Sequence, residues 1–168
     1  MKTIYIIGGT MGVGKTTVCR KMRDILQPSV FLDGDWCWDM NPFEPTEMSK
    51  RMVVDNICYL LNNFIRCPDF EYIIFGWVLH VQSLIDEIAL RLDLDGCRFV
   101  CVSLVCSRDA LSARLSRDIS LGLRSLDIIE RSIARLPMYG DLRTYKLDVS
   151  DISADEAAQR IIDGRFNE

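Results

Sequence analysis

Gly9-Thr10-Met11-Gly12-Val13-Gly14-Lys15-Thr16 decides the fold of this chain. The eight residues fit G-x-x-x-x-G-K-[ST], the phosphate-binding P-loop, without a mismatch. Their surroundings agree with the motif. Thr3 to Ile7 is a short, apolar, β-branched run that reads as a buried parallel strand. Thr17 to Leu26 reads as a helix, with Val18, Met22, Ile25 and Leu26 at helical spacing and Arg20, Lys21 and Arg23 between them.

Chemistry follows from this local geometry. Gly9, Gly12 and Gly14 allow a tight bend with several N–H groups turned inward. Those groups and the helix N-terminus form a site for a polyphosphate. Lys15 reaches the β- and γ-phosphates as a mobile charge, and the Thr16 hydroxyl is placed to ligate Mg²⁺. The expected nucleotide contacts therefore run through Gly9, Thr10, Met11, Gly12, Val13, Gly14, Lys15, Thr16 and Thr17.

Downstream, Val30 to Leu32 reads as a second strand and runs into Asp33-Gly34-Asp35. Ligands of open α/β sheets bind beyond the carboxyl ends of the strands, so both carboxylates fall at the active edge. A carboxylate there orients or deprotonates an acceptor hydroxyl, or holds Mg²⁺ through water. Asp-Gly-Asp also suits a plain turn. The sequence does not rank Asp33 against Asp35. Trp36, Trp38, Met40 and Phe43 follow, with Asn41-Pro42 as a turn signal. They read equally as an aromatic wall for an acceptor ring or as a plug under the next helix.

Thr46 to Phe64 reads as a long amphipathic helix with Thr46 as N-cap; Glu47 stands outside the capping-box spacing. Lys50 and Arg51 on it are either anion contacts or a solvated face. Tyr72 to Leu79 reads as a third, central strand. P-loop ATPases and GTPases carry a magnesium-holding Asp near the end of such a run. Here Gly76-Trp77 stands instead, and no Asn-Lys-x-Asp guanine-reading motif occurs. His80 follows as a substrate contact or a partly buried histidine. Val81 to Leu92 is helical, Arg98 to Cys106 a fourth strand, Thr144 to Val149 a fifth, and Ala154 to Ile162 a final helix. Ser153 and Glu156 match a capping box before that helix, and Gly164 closes it.

Between the fourth and fifth strands the arginines gather: Arg108, Arg114, Arg117, Arg124, Arg131 and Arg135. The forked, always charged guanidinium suits phosphate. Gly122 suggests a mobile crossing over the site. Arg124 and Arg135 would share a face on one continuous helix. A charged hairpin that only keeps the chain soluble is the competing reading.

Composition narrows the class. The 168 residues suggest one domain, and 49% hydrophobic residues argue against disorder. A net charge of −4 gives no bulk field toward nucleic acid or an anionic membrane. Seven cysteines without a C-x-x-C pair, and a single histidine, read as reduced thiols of a cytoplasmic protein and not as a zinc site. No apolar run is long enough to span a membrane, and no signal peptide is read at the start.

The pattern resembles the small P-loop kinases: adenylate-kinase-like nucleotide kinases, gluconate and shikimate kinases, and adenylylsulfate kinase. It lies nearest to bacterial predicted nucleotide kinases of unknown substrate. Phe31-Leu32-Asp33-Gly34-Asp35 looks like the Leu-Asp-Gly-Asp that ends the second strand of adenylylsulfate kinases. Arg114-Leu115-Ser116-Arg117 resembles the Arg-Leu-x-x-Arg leading into the lid of nucleotide kinases. That likeness implies that Arg114 flanks adenine and Arg117 meets the transferred phosphate. Arg124 and Arg135 resemble lid and post-lid arginines. The segment is shorter than a full lid domain, and Trp36 to Phe43 matches neither the gluconate kinase nor the nucleoside monophosphate kinase pattern.

The expectation is then a three-layer α/β P-loop fold with a five-stranded parallel sheet of order 2-3-1-4-5. One domain spans 1–168, with an acceptor side at about 35–66 and a short lid at about 114–135. The expected activity is ATP- and Mg²⁺-dependent phosphoryl transfer to a hydroxyl or phosphate. Lys15, Asp33, Asp35 and Arg117 would be catalytic, Arg114, Arg124 and Arg135 would bind nucleotide, and Thr16 and Asp33 would hold the metal. The partners are a nucleotide and a small-molecule acceptor, in a monomer or homodimer. The competing class is a nucleotide-dependent switch with slow hydrolysis; an end-kinase for RNA or DNA is disfavoured by the acidic charge.

Overall fold

The structure is a computed structural model, and it describes residues 1–166. Asn167 and Glu168, the last two residues of the expected domain, lie outside the described residues. In chain order the elements are β1 (Thr3–Gly8), α1 (Lys15–Ile25), β2 (Ser29–Asp33), α2 (Glu47–Arg66), β3 (Tyr72–Gly76), α3 (Gln82–Arg91), β4 (Arg98–Val105), α4 (Arg108–Ser120), α5 (Ile128–Arg135), β5 (Tyr145–Asp148) and α6 (Ala154–Asp163). Short 3₁₀ turns occupy Gly34–Cys37 and Leu136–Tyr139.

The five strands form one parallel sheet in the order β2-β3-β1-β4-β5, the expected P-loop topology. Strand β1 lies at the centre. Ile6 is in register with Phe75 of β3 on one side and with Cys101 of β4 on the other. Because side chains alternate along a strand, β1 feeds two cores. Ile4 and Ile6 pack with Ile73, Phe75 and the inner faces of α2 and α3. Tyr5 and Ile7 pack with Ile74, Val102 and the inner faces of α1 and α6. Burial on both faces explains why β1, β3 and β4 read as nearly continuous apolar runs.

Several boundaries moved for local reasons. The third strand stops at Gly76 and does not continue to Leu79. There the chain turns out of the sheet, with Leu79 held at φ 40°. A leucine in the left-handed region is strained, and its surroundings hold it there. The Val78 carbonyl accepts from Gly9 N–H at 3.3 Å and from the Tyr139 hydroxyl at 2.6 Å. Helix α2 has a capping box after all. Ser49 takes the place of Glu: its hydroxyl oxygen accepts from Thr46 N–H at 2.8 Å, while Thr46 Oγ1 accepts from Ser49 N–H at 3.1 Å. At α6, Ser153 Oγ accepts from Glu156 N–H at 3.1 Å, and Gly164 closes the helix in the left-handed conformation.

The arginine-rich stretch is not one helix. Helix α4 ends at Ser120, Gly122 turns at φ 70°, and α5 starts at Ile128. Arg124 therefore stands in the connecting loop and Arg135 at the far end of α5, so they share no helical face. Leu111, Leu115 and Ile128 form a small core of their own beside Met11, seating this hairpin against the P-loop.

Phe75 is fully buried at the centre of the larger core, its ring centroid 6.5 Å from that of Trp77. Phe75→Ala is expected to lower stability by about 3–5 kcal/mol through lost burial and the cavity left behind. Urea unfolding should show a lower midpoint with an unchanged slope.

Candidate active site

The parallel sheet brings the ends of β1, β2 and β3 to one edge, and the site is assembled there. Gly12 has φ 83° and Gly14 has φ 109°, values that side chains rarely adopt. A Cβ on Gly12 would also stand 2.4 Å from Leu115 Cδ2, so the loop is packed tightly against α4. Lys15 opens α1 and donates from Nζ to the Thr10 carbonyl at 2.9 Å. The Thr10 hydroxyl, fully buried, donates to the Ser132 carbonyl of α5 at 2.8 Å. The P-loop is thus tied directly to the hairpin above it. Thr17 is exposed one turn position further on.

The two aspartates separate here. Asp33 is half-buried, and its Oδ2 accepts from Thr16 Oγ1 at 2.9 Å while its Oδ1 accepts from Asp35 N–H at 3.1 Å. A hydroxyl and a carboxylate side by side at the phosphate end are hard oxygen donors that fit Mg²⁺. Asp35 takes another direction. It is exposed, it lines a cavity, and its Oδ1 accepts from Trp77 Nε1 at 3.1 Å. Gly34 makes that possible: a Cβ there would stand 2.4 Å from the Trp77 ring.

Electrostatics gathers these groups around Lys15. Burial pushes its ammonium down to about 8; the charges of Asp35 and Asp33 pull it back up, and Arg124 pushes it down further. Lys15, Asp33, Asp35 and Arg124 therefore share one field. Arg124 itself pairs with Asp118, Nε to Oδ2 at 3.0 Å. Arg114 is committed to backbone: it donates to the carbonyls of Val13, Val149 and Ser150, bracing the P-loop against the end of β5. Arg117 is exposed in the last turn of α4 and makes no ion pair among the described residues.

Beside the P-loop lies a cavity of about 840 Å³. Met11 and Asp35 stand at its phosphate end. Trp38, Met40, Phe43 and Trp77 form an apolar side; Lys50, Arg51, Arg131 and Arg135 bring positive charge; His80 lies between. Trp36 is elsewhere: 57% exposed, it meets Phe31 edge-on at 5.4 Å. Arg135, expected over the nucleotide, is on the lining of this cavity. Burial lowers the pKa of His80, with the charge of Arg135 adding to the effect, and His80 Nδ1 is a buried atom without a hydrogen-bond partner. Trp77 was not singled out from the sequence as a site residue, and Arg131 was named only among the gathered arginines. Trp77 had one signal, its position at a strand end where a magnesium-holding Asp is usual.

The fold is that of the small P-loop kinases. It superposes on a tunicamycin resistance protein from Deinococcus radiodurans with a TM-score of 0.69 at 16% identity, covering 98% of this chain and 95% of that one. A gluconokinase from Sinorhizobium meliloti 1021 gives 0.71 at 18% identity, with 98% and 91% covered. Shikimate kinase from Acinetobacter baumannii gives 0.59 at 21% identity, with 96% and 91% covered. Residues 6–121 match the family described as AAA domain, and the chain belongs to that family. It matches no curated protein in sequence. Among the described residues no helix is long and apolar enough to cross a membrane.

The lowered pKa of Lys15 has a pH consequence. Below about 8 the ammonium is charged in the free protein, and above it the charge is lost, while a bound polyphosphate favours the charged form. ATP affinity is expected to fall about tenfold from about pH 7.5 to about pH 9. Calorimetry on wild type and Lys15→Ala checks this, and the variant should bind weakly with no such slope.

Proposed function

We propose that the chain is an ATP-dependent phosphotransferase that moves the γ-phosphoryl group to a hydroxyl or phosphate of a small molecule, with Mg²⁺. One observation carries the reading. Asp35, fixed by Trp77, stands where a roomy cavity meets the P-loop, in the field of Lys15. A protein that only binds or slowly hydrolyses nucleotide has no need for a second site with a positioned carboxylate.

Each residue then has a part. The P-loop N–H groups and Lys15 stabilise the charge that spreads over the transferred group, with Arg117 swinging in from its exposed place on α4. Thr16 and Asp33 would hold the metal, which would supply charge neutralisation at the phosphate chain. Asp35 orients the acceptor and takes its proton. Arg114 borders the adenine by bracing the loop beside it. Arg124 closes over the phosphates, and Arg135 meets the transferred group from the acceptor side. The region 35–66 serves the acceptor and 114–135 serves as a short lid, excluding water so that the acceptor is attacked in its place. A cytoplasmic location suits this chemistry.

ATP turnover with Mg²⁺, with and without a pooled small-molecule library, tests the reading. Library-dependent ADP formation is expected, and Asp35→Ala should lower it by about 10²- to 10⁴-fold while leaving ATP binding intact. Equal slow hydrolysis in every condition, in wild type and variant alike, would replace the kinase by a nucleotide switch.

A further inference from the structure

Asp35 is exposed and belongs to the short 3₁₀ turn Gly34–Cys37. An exposed aspartate on a surface turn has several staggered rotamers open to it, each aiming its oxygens elsewhere. What holds this one comes from 42 positions away in sequence: Trp77 Nε1 donates to Asp35 Oδ1 at 3.1 Å.

Trp77 is fixed at both its backbone and its ring. Its backbone N–H donates to the Ile7 carbonyl at 3.1 Å, and the next carbonyl, that of Val78, accepts from Gly9 N–H at 3.3 Å. These two bonds clamp Trp77 to the end of β1 and the start of the P-loop. The side chain is buried, meeting Trp38 edge-on at 5.9 Å and Phe75 at 6.5 Å. Room for the indole exists because residue 34 has no side chain: a Cβ there would stand 2.4 Å from Trp77 Cγ. A buried indole N–H calls for an acceptor, and packing sets the direction in which it points. Asp35 meets it.

The residue type matters as well. A carboxylate at the end of β3 could hold a cation, whereas an indole N–H is a donor only. The end of β3 therefore serves the second aspartate. Asp35 lines the cavity, and its Oδ2 has no partner among the described residues.

We propose that Trp77 is a positioning residue for the transfer: clamped to β1 and the P-loop, its indole N–H sets where the Asp35 carboxylate stands relative to the bound nucleotide. The role rests on the kinase reading and deepens it. With a hydroxyl acceptor, the hydroxyl oxygen bonds to the γ-phosphorus, the bond from that phosphorus to the β–γ bridging oxygen breaks, ADP leaves, and the hydroxyl proton passes to Asp35 Oδ2. Trp77 touches none of the reacting atoms. It places the oxygen that takes the proton by holding the other one.

The first readout needs no acceptor. The three tryptophans give three indole signals in a ¹H–¹⁵N spectrum, and Trp77→Phe identifies the one from residue 77. Asp35→Ala should move that signal upfield, and by more than the other two. The second readout is ADP formation from ATP, Mg²⁺ and a pool of polyols, hydroxy acids and nucleosides. Trp77→Phe keeps a ring and removes the donor; turnover at saturating ATP should fall about 10- to 100-fold with the KM for ATP little changed. Trp77→3-benzothienylalanine keeps the outline of the indole with sulfur in place of N–H. It should lose as much, and it carries the test should the phenylalanine variant fold poorly. The double variant Trp77→Phe/Asp35→Ala should be no slower than Asp35→Ala, because a group that acts only through Asp35 then has nothing to act on.

An indole signal unmoved by Asp35→Ala would overturn the pairing. Wild-type turnover in the benzothienylalanine variant, or losses that multiply in the double variant, would overturn the positioning role and leave the kinase standing. Wild type that forms no pool-dependent ADP would remove the kinase reading and this role with it.

Discussion

A cation held half-buried at the mouth of a parallel sheet is the constraint on which this structure turns. Removing the Lys15 ammonium from water is unfavourable, and burial drives its pKa down to about 8. The surrounding parts limit that cost. The Thr10 carbonyl accepts a hydrogen bond from it at 2.9 Å, and the charges of Asp35 and Asp33 oppose the shift. Those carboxylates arrive only because β2 and β3 run parallel to β1 and end at the same edge. A polyphosphate would complete the compensation, so the loop is arranged for an anion that it does not itself supply.

The sheet order and the P-loop were legible because they follow from strong local signals. Strands buried on both faces must be apolar throughout, and glycines at positive φ must be glycines. The difference between Asp33 and Asp35 was not legible. Both belong to one Asp-Gly-Asp turn, and what separates them is the company each keeps: Thr16 for one, Trp77 for the other. Trp77 is remote in sequence, and nothing local to the turn announces it. The same holds for the aromatic loop. Trp36 and Trp38 are two residues apart, yet one lies on Phe31 and the other faces the cavity.

The third strand shows how tertiary contacts override a run of apolar residues. Trp77, Val78 and Leu79 continue the pattern of β3, but the chain leaves the sheet at Gly76. Tyr139 and Gly9 both bond the Val78 carbonyl, and Leu79 accepts a left-handed conformation as a result. That corner carries His80 into the cavity wall. The arginine stretch departs from a single helix for a related reason. Their spacing fits a helix, but Gly122 breaks it, and the break sends Arg124 toward Lys15 and leaves Arg135 beside His80.

The bond from the Thr10 hydroxyl to the Ser132 carbonyl joins two halves of the molecule through a single proton. On one side, the carbonyl of the same Thr10 holds Lys15. On the other, α5 carries Arg131 and Arg135 into the cavity. A ligand that draws Lys15 away from Thr10 also acts on the fixed point of α5. Any coupling carried through that bond is equal in size in both directions. One threonine therefore touches both halves of the cleft, its carbonyl meeting Lys15 and its hydroxyl meeting α5.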